Sequence, residues 1–125
     1  MYTARASKIY ESVDLDSAPK TQIVERLFDR FARDIAAARV AVAVRDIPTK
    51  AKTIDHATQI AVQLRAALDR SAGPELCAQL DALYGFVIDR LAQGNLALTT
   101  QPLDEAAQIM ATLGDGFRRA YASVR

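Results

Sequence analysis

The chain has 125 residues and a formal net charge of +1, and it is 50% hydrophobic and 25% charged. That suffices for one ordinary domain with a single packed core. It is too apolar for a disordered tail and too nearly neutral for a strongly basic nucleic-acid binder. Its 24 alanines against only 5 glycines and 4 prolines favour long helices.

Several function classes drop out early. The single cysteine, Cys77, has no second thiol for an internal disulfide or a thiolate metal site, which points to a reducing compartment. Residues Met1 to Tyr10 lack the apolar core of a secretory signal. No apolar stretch approaches the ~20 residues that span a bilayer, so a soluble cytoplasmic protein without membrane insertion is expected. The one histidine, His56, and the glutamates Glu11, Glu25, Glu75 and Glu105 do not form the Glu-x-x-His pairs of a di-iron bundle. Neither a glycine-rich phosphate loop nor a nucleophile elbow is present. The expectation is therefore no enzyme, no cofactor and no metal.

Before the first periodic segment, residues 1–18 carry Tyr2, Ile9, Tyr10, Val13 and Leu15 among charges and read as an extended arm lying on the rest of the chain. Proline and glycine at Pro19, Pro48, Gly73-Pro74 and Pro102 then divide residues 19–125 into four helical segments. The first, about 20–44, aligns Ile23, Leu27, Phe31, Ile35, Ala38 and Val42, widened by Val24 and Phe28. The second, about 48–70, aligns Ala51, Ile54, Ala57, Ala61, Leu64 and Leu68, a face of small side chains that allows close helix contact. The third, about 74–96, aligns Leu76, Leu80, Leu83, Val87 and Leu91, with Tyr84, Phe86 and Ile88 around the cylinder. The fourth, about 102–122, aligns Leu103, Ala106, Met110, Leu113, Phe117 and Tyr121. Gly114 and Gly116 weaken its last third by ~1 kcal/mol each relative to alanine, so that end is expected to fray unless packing holds it. Asp46 and Thr100 are the expected N-terminal caps of the second and fourth helices, and Gly73 precedes the third. Short links between long helices make consecutive helices antiparallel, giving an all-α, up-down four-helix bundle.

Among individual residues, His56 reads as a solvated helix position and Cys77 as a packing residue. Arg26, Arg30 and Arg33 are interleaved with Glu25, Asp29 and Asp34 and read as an ion-paired, solvated face, with no nucleic acid expected. The third helix has more apolar surface than one interface uses. Two readings stay open for it: a binding groove, or a homodimer in which that face pairs with its own copy.

The order and spacing of several pieces carry a resemblance. They are Met1-Tyr2-Thr3-Ala4 and Tyr10, Leu27-Phe28-Asp29, Leu64-Arg65-Ala66-Ala67-Leu68-Asp69, Gly73-Pro74-Glu75, Leu80-Asp81-Ala82-Leu83-Tyr84, Arg90-Leu91, Asn95-Leu96 and Asp104-Glu105. Over nearly its whole length the chain resembles the flagellin-specific export chaperones of the FliS type. It departs from them at Ala18, Pro74, Phe86 and Gly94, where Ser, Gly, Tyr and Ala are usual, and Phe117 or Tyr121 stands near the family's C-terminal Trp.

The resemblance implies a cytoplasmic chaperone, working without ATP, that holds the disordered C-terminal segment of flagellin. Holding it prevents premature polymerisation and precedes delivery to the flagellar type III export apparatus. An export gate component or an anti-sigma regulator is a further partner the resemblance allows. The client segment is expected to lay apolar side chains between helices. The groove and arm residues expected to meet it are Ile9, Tyr10, Ile54, Ala57, Ala61, Leu83, Tyr84, Phe86 and Val87, with Ala78 leaving a further shallow pocket. The alternative kept beside this is a homodimeric structural or regulatory adaptor with a different client.

Overall fold

The computed structural model describes residues 18–68, 71 and 73–122, with side chains between Thr21 and Ala120. Residues 1–17 of the expected arm, Ile9 and Tyr10 included, lie outside the described residues, as do Asp69, Arg70 and the side chain of Tyr121. Four helices follow one another: α1 (Ala18–Val44), α2 (Ile47–Ala66), α3 (Pro74–Leu96) and α4 (Gln101–Ala122). Each packs on its neighbour in the chain, and α4 closes the ring against α1. The contacts are antiparallel, since Arg39 near the end of α1 meets Asp104 near the start of α4 while Asp29 meets Arg118. The all-α bundle expected from periodicity is the fold.

Every helix supplies large side chains that are fully buried: Phe31 and Ile35, Ile54 and Leu64, Tyr84 and Leu91, Leu103 and Phe117. Burying one such group contributes about 1.5–3 kcal/mol. Ala38, Ala57, Ala61 and Ala106 have no exposed surface at all and bring the helix axes together. The face of α4 is the expected one from Leu103 to Phe117. On α1 the buried face keeps Phe31, Ile35 and Ala38 and takes in the expected flank of Val24 and Phe28, whereas Ile23 is 52% exposed. On α3, Val87 and Leu91 are buried as expected, but Cys77 and Tyr84 share their face and Leu83 lies outside it. Positions three and four apart share a helix face, so the edge of a broad apolar stripe is set by the neighbouring helices.

The helix ends show the local chemistry. At the end of α1, Asp46 N–H donates to Ala41 O at 2.8 Å and Arg45 N–H to Val42 O at 3.2 Å, with Arg45 at φ 58°. This is a Schellman turn whose left-handed position holds arginine where glycine is usual. Arg45→Gly is expected to raise the melting temperature by a few degrees, from about 0.5–1 kcal/mol of relieved backbone cost, as thermal unfolding followed by circular dichroism would report. Asp46 caps α2 as expected, accepting from Thr49 N–H at 3.2 Å. The Thr49 hydrogen bonds hold its carboxyl below the ordinary aspartate value. A depressed value means that the cap's contribution is complete above the unfolded-state value and is lost as pH falls through the folded-state value. Asp46→Asn, which still caps, is expected to flatten stability over that acidic window, measured by urea unfolding at stepped pH.

Two expectations about ends are corrected, and a third is decided by packing. α2 stops at Ala66 rather than Arg70: Ala67 N–H still makes the helical bond to Gln63 O, but Leu68 N–H tightens to Arg65 O three residues back, and Leu68 drops into the core. At α4 the Thr100 carbonyl, not its hydroxyl, accepts from Asp104 N–H, and the hydroxyl of Thr99 faces Gln101 N–H at 3.5 Å. α4 also continues through both glycines to Ala122. A Cβ on Gly114 would stand 3.2 Å from the Phe28 ring, and that ring packs on Phe117 with centroids 5.9 Å apart. Packing therefore holds the glycine turn, and the glycine is what lets Phe28 approach.

Candidate functional site

On α3 the row Leu83, Phe86 and Arg90 follows the three-and-four spacing of one helix face. Leu83 and Phe86 are 36% and 43% exposed. The Arg90 guanidinium carbon lies 5.6 Å from the centre of the Phe86 ring, and its nitrogens reach Asp89 at 2.8 Å and Glu105 on α4 at 3.6 Å. A cation thus steadies a ring that remains partly in water. On the opposite edge of α3, Arg65 of α2 grips Asp81 through two nitrogen–oxygen contacts of 2.9 and 3.0 Å. This pair fixes α3 against α2, and the hydrogen bond to Asp81 pushes the Arg65 guanidinium above its ordinary value.

The other described candidates lie deeper. Ile54, Ala57, Ala61, Tyr84 and Val87 are 0–2% exposed and belong to the core. They are members of the hydrophobic core cluster between the helices. The helices close over small alanines because nothing keeps them apart there. Ala78 is at the surface. A cleft of about 290 Å³ runs between α1 and α4 over Phe31, Ala107 and Met110. It is bounded by the Asp29–Arg118 and Arg39–Asp104 ion pairs, at 3.2 and 2.6 Å.

Two polar centres escaped the sequence reading. Lys50 is 3% exposed, and its Nζ donates to the carbonyls of Asn95 and Ala97 at 2.9 Å each. It caps the C-terminus of α3, where four carbonyls lack helical partners and the dipole favours a cation. His56 is no merely solvated residue. Its Nδ1 is hydrogen-bonded to Oδ2 of Asp34 on α1, and Asp34 also accepts from Arg30 Nε at 3.3 Å. Neither could be found from spacing along one helix, since each partner lies on another. No cluster of three or more metal-ligating side chains occurs among the described residues, and no helix among them is long and apolar enough to cross a membrane.

The sequence matches the family model described as FliS: Flagellar protein FliS, over residues 2–124. The chain belongs to the FliS family. It is similar to the flagellar secretion chaperone FliS of Salmonella typhimurium, 30% identical over 95% of this chain and 92% of that protein. It is similar also to the flagellar secretion chaperone FliSB of Pseudomonas aeruginosa, 32% identical over 94% and 96%, and to FliS of Escherichia coli K12, 27% identical over 98% and 94%. Membership supports an export chaperone role. The residues that carried the FliS resemblance are largely structural here: Leu64, Tyr84 and Leu91 are core, Arg65 and Asp81 join α2 to α3, and Arg90 reaches α4. Gly94 faces Leu103 so closely that a Cβ would lie 2.6 Å from Leu103 Cδ2. In this member of the FliS family, then, α4 sits against bare backbone at that point.

Proposed function

We propose that this protein is a cytoplasmic, non-enzymatic export chaperone for flagellin. It binds the disordered C-terminal segment of the client, prevents premature polymerisation and hands it to the flagellar type III export apparatus. The observation that carries this reading is the family match across residues 2–124, with relatives named flagellar secretion chaperones. The geometry adds an apolar pair, Leu83 and Phe86, left in water on a helix whose inner face is already buried. An amphipathic segment that folds on this surface would cover both side chains, with the ordering entropy offset by a long wrapped contact. Ile9 and Tyr10 are assigned to the same surface, as an arm that covers it in the absence of client. An export gate component or an anti-sigma regulator would be a second partner of the loaded chaperone.

The test is titration calorimetry of the full chain with the C-terminal segment of flagellin encoded in the same genome. One-to-one binding with a negative heat-capacity change is expected. The double variant Leu83→Asp/Phe86→Asp should weaken it at least ~10-fold while the melting temperature stays near that of the parent, because both side chains are at the surface. Absence of binding by the folded parent would overturn the reading.

A further inference from the structure

We propose that the groove between α1 and α2 is a docking site for an acidic amphipathic segment of a second protein, distinct from the surface at Leu83 and Phe86. The groove encloses about 430 Å³, and Arg26, Arg30 and Arg33 line one wall while no carboxylate among the described residues lines it. In a chain whose net charge is only +1, this is a strong local asymmetry.

The sequence suggests that neighbouring acids neutralise these arginines, but the fold sends those acids elsewhere. Asp29 turns to Arg118 on α4. Asp34 is buried between Arg30 and His56, the one basic group of α2 that lines the groove. Glu25 does not line it. Arg26 and Arg33 make no ion pair or hydrogen bond among the described residues, and both are exposed.

The rest of the lining selects the ligand chemistry. Leu27 and Ile60 form an apolar floor, and Ile23 at the mouth is 52% exposed. A phosphate backbone would use the arginines and leave this floor unused. Among the described residues the lining also holds no aromatic ring on which a base would stack. A peptide with carboxylates on the flank of an apolar stripe uses both. Arg26 and Arg33 are seven residues apart on α1, about 10 Å along the axis, a spacing matched by carboxylates seven residues apart on a docked helix or three apart on an extended strand. Charge complementarity of this kind sets partner choice and association rate.

The experiment uses the full chain and two labelled synthetic helical peptides, identical except that two glutamates seven residues apart beside a leucine stripe are glutamines in the second. Fluorescence anisotropy at low salt is expected to show about tenfold tighter binding of the glutamate peptide, the preference shrinking as salt rises. Arg26→Gln/Arg33→Gln should abolish the preference with an unchanged helical spectrum and melting curve. Equal affinity of the parent for both peptides, or a preference retained in the double variant, would overturn the proposal. Two further outcomes would overturn it in favour of another occupant. One is binding of a single-stranded oligonucleotide that the variant loses. The other is concentration-dependent dimerisation of the parent that the variant abolishes.

Discussion

Tyr84→Ala is expected to lower the free energy of unfolding by about 3–5 kcal/mol, the range for truncating a large buried ring. Tyr84 has no exposed surface and heads the fully buried side chains by volume, with Val87 and Leu91 on the same face of α3. Relaxation around the missing ring is opposed by the Arg65–Asp81 clamp, which keeps α3 from sinking toward α2. For a chain of this length the melting temperature should fall by about 10–20 °C. This residue separates a core role from a binding role. If Tyr84 works through the fold, client binding measured at a temperature where the variant is still folded remains near that of the parent, whereas Leu83→Asp/Phe86→Asp loses binding without losing stability. A Tyr84→Ala variant with the parent's melting temperature would contradict its placement in the core.

Lys50→Met is expected to destabilise by about 2 kcal/mol, although it removes a buried charge and preserves most of the side-chain volume. The opposing effects are the recovered desolvation of an ammonium group and the loss of two charge-assisted hydrogen bonds to Asn95 O and Ala97 O. The loss dominates because those carbonyls end α3 and have no helical donors of their own. Hydrogen exchange should report the effect locally, with faster exchange in the last turn of α3 and the link to α4. Lys50→Ala, which also removes the aliphatic stem, should be worse than Lys50→Met. A methionine variant as stable as the parent, with unchanged exchange there, would show that water satisfies the carbonyls equally well.

Helix existence and helix type were legible because they follow from short-range periodicity. Pro48, Gly73-Pro74 and Pro102 stop or start helices whatever surrounds them, and Asp46 caps α2 through an atom three residues away. The apolar positions of α4 were readable for the same reason. Its hydrophobic stripe is narrow, and only one rotation buries Leu103, Met110 and Phe117 together. α1 and α3 have broad apolar surfaces, so several rotations bury nearly equal areas. There the structure places Val24 and Tyr84 inward and Ile23, Leu83 and Phe86 outward. The end of α2 was overrun because an alanine-rich segment has high helix propensity, while the turn at Ala67 is set by the burial of Leu68.

The expected client surface divides along the same line. An excess of apolar side chains on α3 was visible as composition. Which of them reach water depends on the phase of α3 against α2 and α4, held by Arg65–Asp81 and Arg90–Glu105. By itself, the sequence determined four antiparallel helices, the main helix breaks and membership of the FliS family, since these depend on local spacing and on the order of motifs along the chain. Only the tertiary structure decided that Lys50 caps a distant helix, that His56 meets Asp34, that Asp29 leaves the arginines of α1 for α4, and that Arg26 and Arg33 line a groove with an apolar floor and no carboxylate among the described residues. Each of these depends on which faces of two helices meet, and that choice is made by packing the whole core at once.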